Sequence, residues 1–89
     1  MSTENVDNIS ASQSRGARAL LDITQPELAS KAGLGLSTVV DFEKSRRRVS
    51  DEAIQAIRNA LEAAGIEFIE ENGGGQGVRL TKRHRSKKR

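Results

Sequence analysis

Residues 25–43 read QPELASKAGLGLSTVVDFE, and this stretch decides the fold. Its pattern predicts two short helices that meet at a glycine corner. Thr24 is placed to cap the first helix, and Glu27, three residues later, completes a capping box. Pro26 falls in the first turn, where its missing N–H costs nothing. Gly33 lies where a left-handed residue would end this helix and turn the chain sharply.

The second of these helices is predicted over residues 36–44. Val39 and Phe42 are three residues apart, so both are expected to face the core. The leading edge of the helix carries small and polar side chains instead. Two helices of this size, joined by a tight turn, can place the second one in the major groove of DNA.

Two further helices are predicted to flank this pair. The first covers about residues 12–22, with a buried stripe of Ala17, Leu20 and Leu21. The last begins after a serine cap and ends at a glycine, Gly65. Its cap and apolar stripe are, in order, Ser50, Ile54, Ile57, Leu61 and Ala64.

The hydrophobic period changes after the last helix. Residues 66–71 and 78–81 are predicted to form two strands, joined by a glycine-rich turn over 72–77. A lone two-stranded hairpin is barely stable in water. It therefore needs the helices beneath it, a partner chain beside it, or both, and a sheet exchanged between subunits is one solution.

These elements predict a mainly α fold: a compact four- to five-helix bundle that contains a helix-turn-helix, followed by a short β-hairpin and a disordered basic tail. Residues 1–11 are expected to be a disordered N-terminus, and residues 12–65 a DNA-binding helix-turn-helix domain. The hairpin extension, residues 66–81, is a candidate dimerisation element. Residues 82–89 form the tail, which cannot fold by itself.

Composition narrows the class of protein. A chain of 89 residues with 35% hydrophobic residues builds one small core, which dimerisation would stabilise. The absence of cysteine excludes disulfides and thiolate metal sites and fits a reducing cytoplasm. We find no apolar run long enough to span a membrane and no signal peptide, so we expect a cytoplasmic protein.

The net charge of +3 is concentrated in the tail. Residues 82–89 carry six basic side chains, whereas residues 15–80 are nearly neutral. The high isoelectric point therefore describes a tail rather than a uniformly basic domain. Such a tail can hold DNA non-specifically, and it could equally contact RNA or acidic proteins.

The sequence predicts no enzyme, no cofactor and no metal. His84 is the only histidine and has no cysteine or second histidine beside it. The pair Glu70 and Glu71 lies at an exposed strand end, with no partner that would tune a pKa. The glycines of residues 73–75 lack the Lys and Ser/Thr of a phosphate loop, so they indicate a turn.

Residues 15–61 resemble the Cro and phage-repressor type of helix-turn-helix regulator, the XRE family. The hairpin resembles, more weakly, the C-terminal extension of short bacterial members. The resemblance implies homodimeric binding to a palindromic operator on double-stranded DNA, and transcriptional repression or autoregulation. The residues that carry it are Arg18, Gln25, Leu28, Ala29, Ala32, Gly33, Ser37, Thr38, Val39, Phe42 and Glu43.

The resemblance also assigns candidate site residues. Those matching positions that face base edges are Leu36, Ser37, Val40 and Asp41. Thr38 and Lys44 match flanking positions near phosphates, and Gln25 matches one that touches the DNA backbone or supports the recognition helix. Arg18 and Glu43 match a structural pair that joins the first helix to the third.

Four arginines are candidate contacts to the DNA backbone because of the positive charge of their side chains. Arg46, Arg47 and Arg48 directly follow the third helix, and three arginines in a row repel one another without an anion. We therefore expect them to clamp phosphates, although a solvated loop is the simpler alternative. Arg15 could reach a phosphate or lie in water.

A second class of function stays open. The same fold can serve as a protein-interaction module, an antitoxin or anti-activator, that docks a regulatory protein partner instead of DNA. Leu36, Val40 and Ile69 would then form an apolar docking surface. Leu36 and Asp41 favour this alternative, because the family often carries Gln or another polar residue at the first position and Arg, Gln or Lys at the second.

Overall fold

Helices followed by a hairpin make up the part of the chain that the computed structural model describes, residues 8–70 and 73–81. The predicted mainly α fold class is confirmed. The predicted tail and residues 1–7 lie outside the described residues. The elements are α1 Ala11–Leu21, α2 Gln25–Ala32, α3 Leu36–Glu43, α4 Asp51–Ala63, β1 Ile66–Ile69 and β2 Gly77–Leu80.

The local signals for helix ends act as predicted. In α2, the Glu27 amide donates to Thr24 Oγ1 at 3.2 Å, and the Thr24 amide donates to Glu27 Oε1 at 2.8 Å. Gly33 ends the helix in the left-handed region, with a φ of 71°. Ser50 caps α4 by accepting from the amide of Ala53 at 3.1 Å. These bonds satisfy backbone donors that would otherwise lack partners.

The core lies between the four helices and the inner face of the hairpin. Ile9 is only 6% exposed and lies ahead of the predicted domain start at residue 12. The fully buried apolar side chains, at 0% exposure, are Ala17, Leu28, Val39, Ile57 and Leu61.

Among the helices of the described residues, none combines the length and the apolar character needed to cross a membrane.

The prediction that Leu20 is buried is wrong, because its exposed fraction is 43%. The inward face of α1 instead includes Gln13, Ser14 and Ala17, with Leu21 partly buried. Polar side chains can occupy this face because each has a hydrogen-bond partner inside the fold. Leu20 lies off that face, a position that the apolar pattern alone did not reveal.

The hairpin packs on the helices of its own chain. Its strands are antiparallel, with Ile66 opposite Leu80 and Phe68 opposite Val78. These four side chains pack with the core, β1 against α4 and β2 against α1. On the outer face, Arg79 pairs with Glu67 at 3.0 Å. The helices beneath thus supply support that a lone hairpin lacks, while exchange between subunits stays a prediction.

Gln13 joins the hairpin to α1, a role that the sequence did not reveal. Its Oε1 accepts from the amide of Ser10 at 2.9 Å, which completes a capping box at the start of α1. Its Nε2 donates to the carbonyl oxygens of Ile69 at 3.3 Å and Gly77 at 2.9 Å. One buried amide therefore fixes the turn end of the hairpin to the helix.

Replacing Gln13 with glutamate should loosen the hairpin. A carboxylate can still accept from Ser10, but it cannot donate to the two strand carbonyls, and unsatisfied buried acceptors cost about 1–3 kcal/mol. Urea unfolding would measure the loss, and amide hydrogen exchange should quicken in the strands. The control is Gln55→Glu, at an exposed position of α4, for which we expect a change within about 0.5 kcal/mol. Equal stability of the two variants would contradict the proposed role of Gln13.

Candidate nucleic-acid interface

The turn after α2 sets the direction of α3. Gly33 to Gly35 separate the two helices, and Gly35 begins α3 without a side-chain cap. Val39 and Glu43 are fully buried, with 0% exposure. Because one face of α3 is anchored in this way, the opposite face is left at the surface.

Most of the predicted base-facing residues share that surface. Ser37, Val40, Asp41 and Lys44 are spaced as neighbours along one helical face. Ser37 and Lys44 are exposed, and Val40 and Asp41 are half-buried. Leu36, at the tip of the helix, is 46% exposed. We call these five residues the outer face of α3.

Glu43 is the centre of a hydrogen-bond network that holds α3 in place. Its carboxylate accepts from Arg18 Nη2 at 2.8 Å and from Arg18 Nε at 3.0 Å. Ser14 Oγ donates to it at 2.5 Å and Gln25 Nε2 at 3.0 Å. Side chains from α1 and α2 therefore converge on one buried carboxylate of α3, which ties the three helices together.

Gln25 and Arg15, both predicted to contact the DNA backbone, also bind Glu43. Gln25 supports the recognition helix through Glu43, one of the two roles that the family resemblance implied. Arg15 Nη1 donates to the backbone carbonyl of Glu43, and Arg15 Nη2 donates to Ser12 Oγ at 3.0 Å. Arg15 is therefore anchored at the C-terminal end of α3 rather than solvated alone, and its contact with DNA stays a prediction.

Burial raises the pKa of the Glu43 carboxyl, but hydrogen bonds from Arg18, Ser14 and Gln25 and the charge of Arg18 outweigh it. The pKa is thus lowered from its ordinary value of 4.5. Protons then bind the unfolded chain more readily than the folded one as the pH falls. The carboxylate stabilises the fold above that value and loses its contribution in more acidic solution.

Acid titration should expose this contribution. We expect the free energy of unfolding to fall as the pH drops below about 4.5, and to fall less steeply in a Glu43→Gln variant. Urea unfolding at a series of pH values measures both slopes. The pKa of the exposed Glu67 is also lowered, by its hydrogen bond to Arg79, but this carboxylate is unchanged in the variant. Parallel slopes would mean that Glu43 is not the acid-sensitive group.

The chain turns sharply where α3 ends. Ser45 adopts a left-handed conformation with a φ of 56°. Its amide donates to the carbonyl of Phe42 at 3.2 Å, and the amide of Arg46 donates to the carbonyl of Asp41 at 2.9 Å. This pair of bonds is the Schellman arrangement, which usually has glycine at the left-handed residue. It brings residues 46–48, which we call the arginine loop, back beside the outer face of α3.

The arginine loop has a carboxylate within reach. Asp41 Oδ2 accepts from Arg47 Nε at 2.7 Å, and Asp41 Oδ1 lies 4.0 Å from Arg46 Nη1. Arg48 is exposed, and no ion pair engages it within the described part of the chain. Asp41, which was predicted to face bases, therefore relieves part of the expected repulsion between the arginines.

The family model described as helix-turn-helix matches residues 15–67, more than half of the chain. The chain belongs to the Cro and phage-repressor type of helix-turn-helix family, the XRE family. Its members are DNA-binding regulators and are not typically enzymes. Comparison with curated proteins finds no match to this regulator.

Two further features of this helix-turn-helix regulator complete the site. Ser14, which the sequence analysis did not single out, is fully buried and binds Glu43. Its position one helical turn before Arg18, the predicted partner of the same carboxylate, is a signal that could have revealed it. Among residues 8–70 and 73–81, no cluster of acidic or histidine side chains is arranged to hold a metal ion.

Proposed function

We propose that this regulator binds double-stranded DNA sequence-specifically, as a homodimer, in the bacterial cytoplasm. It represses transcription from palindromic operators, including transcription of its own gene. In this proposal the outer face of α3 enters the major groove. Thr38, Lys44, Arg46 and Arg48 contact the phosphates on either side, joined by Gln25 at the start of α2 and Arg15 within α1.

The observation that carries the proposal is the contrast between the two faces of α3. Its inner face is anchored by fully buried Val39 and Glu43, while Leu36 and Ser37 remain exposed. A rigid scaffold that presents an exposed helix is what groove recognition requires, because ordering the helix on DNA then costs little entropy. Ser37 can exchange hydrogen bonds with a base, and Leu36 or Val40 can contact a thymine methyl group.

The size of α3 supports a dimer. An eight-residue helix is about 12 Å long and covers only a few base pairs. Two copies related by a two-fold axis would read half-sites about 34–36 Å apart, one turn of the double helix. Such a pairing multiplies the weak selectivity of one helix, which is why palindromic operators match dimeric regulators.

The direct test is binding to the DNA upstream of the protein's own gene. We expect a retarded complex in a gel shift and hydroxyl-radical protection of two patches about one helical turn apart. Each neutralised phosphate should add about 0.9 to the slope of log affinity against log salt. A single protected patch would rule out the dimer, and equal affinity for random DNA would rule out sequence-specific control.

One observation favours a second function. Leu36 and Leu20 are the large apolar side chains that the described residues expose most, and Leu36 lies at the tip of α3. An exposed leucine there can also pack against a partner protein, because burial of apolar surface drives most protein association. An antitoxin or anti-activator would use such a contact. The absence of any DNA complex at low salt would favour protein docking over regulation.

A further inference from the structure

The ion pair between Asp41 and Arg47 places an arginine against the outer face of α3. Arg47 Nε lies 2.7 Å from Asp41 Oδ2, and Asp41 follows Ser37 by one helical turn on that face. The side chain of Arg47 is 53% exposed. Its guanidinium therefore lies beside the residues expected to meet base edges, although Arg47 itself belongs to the loop.

We propose that Asp41 and Arg47 act together to read a guanine: Arg47 contacts the base, and Asp41 is the positioning residue that holds it. The inference rests on the proposed DNA-binding function and refines it, because the sequence alone predicted a phosphate contact for Arg47. Asp41 was predicted to meet a base itself and here acts through the arginine.

The hydrogen bonds of Arg47 leave the terminal edge of its guanidinium, formed by Nη1 and Nη2, available to a base. Nε is occupied by Asp41, and Nη1 makes only a long bond of 3.4 Å to the carbonyl of Arg48. Within residues 8–70 and 73–81, no hydrogen bond engages Nη2. The two terminal nitrogens can thus donate side by side, which matches the O6 and N7 acceptors of guanine in the major groove.

The position of the carboxylate argues against a phosphate as the ligand of Arg47. A phosphate bound by Arg47 would approach the negative charge of Asp41 and be repelled at short range. Guanine carries no net charge, so the carboxylate does not oppose it and instead restricts the rotamers of the arginine. Preorganisation of this kind lowers the entropic cost of the bidentate contact. Arg48, which no ion pair engages within the described part of the chain, remains the better phosphate ligand.

The test is selection of binding sites from a randomised DNA pool by the full chain, three single variants, and the double variant of Asp41 and Arg47. We expect the wild type to select a guanine in each half-site. Arg47→Lys and Asp41→Asn should both lose that preference, with affinity for the guanine site falling roughly 5- to 150-fold in Arg47→Lys. Lysine keeps the charge but cannot form the planar pair of bonds. The matched control, Arg48→Lys, should select the same motif as the wild type.

The outcomes separate this inference from the proposed function. If the wild type selects a motif and Arg47→Lys keeps every base preference, Arg47 contacts phosphate and the inference is wrong. If the wild type selects no motif at all, the proposed function itself fails. In the double variant, the two losses should not add, because both remove the same contact. Additive losses would show that Asp41 and Arg47 act separately.

Discussion

A Ser37→Trp variant is expected to lose sequence-specific DNA binding while keeping its fold. Ser37 is exposed on the outer face of α3, so an indole there meets solvent in the free protein. The major groove is about 12 Å wide, and a helix with its side chains already fills it. Tryptophan would therefore hold α3 away from the base edges, and affinity for the operator should fall to the non-specific level, roughly 10³-fold or more.

Gel shifts on operator and random DNA, with thermal melts of the same samples, measure this effect. Non-specific binding should survive with its steep salt dependence, because Lys44 and the arginine loop are unchanged. Asn59→Trp, which introduces the same indole at an exposed position of α4, is the matched control and should bind like the wild type. Undiminished operator binding by Ser37→Trp would place the recognition surface elsewhere on the protein.

A Glu43→Ala variant is expected to be severely destabilised. The substitution removes the buried acceptor of Ser14, Arg18 and Gln25, and it leaves the partly buried guanidinium of Arg18 without its carboxylate. Breaking such a pair by removing one partner costs about 3–5 kcal/mol. Domains of this length have total stabilities of roughly 4–13 kcal/mol, so a large share of the stability would be lost.

Thermal unfolding should show a fall in Tm of more than about 12 °C. DNA binding should weaken as well, because α3 loses its anchor to α1 and α2. The control is Glu62→Ala, which removes an exposed carboxylate 3.0 Å from Arg58 Nε and should cost only about 0.3–0.5 kcal/mol. If the two alanine variants had the same Tm, the buried network around Glu43 would not be what holds the three helices together.

These two expectations concern different faces of one short helix. Ser37 faces outward and contributes little to the fold, whereas Glu43 faces inward and supports function only through the fold. The pair Asp41–Arg47 lies between these extremes, since it joins the helix to the loop and prepares an arginine for binding. A variant at each position therefore tests recognition, anchoring and positioning separately.

The helix boundaries and the corner between α2 and α3 could be predicted from sequence alone. The capping box of Thr24 and Glu27, the left-handed Gly33 and the Ser50 cap all depend on bonds between residues three or four apart. Such bonds form within one helical turn, so the residue types at that spacing specify them. The family resemblance added the pairing of Arg18 with Glu43, which no local signal supplies.

Only the tertiary structure decided that Gln13 and Ser14 are buried, and which partners join Arg18 at Glu43. Gln13 reaches strand carbonyls that lie 56 and 64 positions away along the chain, and the carboxylate of Glu43 gathers donors from α1 and α2. Asp41 meets Arg47 only because Ser45 turns the loop back. Sequence specifies contacts within one turn of chain, but partners distant in sequence meet only after packing has set the helix directions.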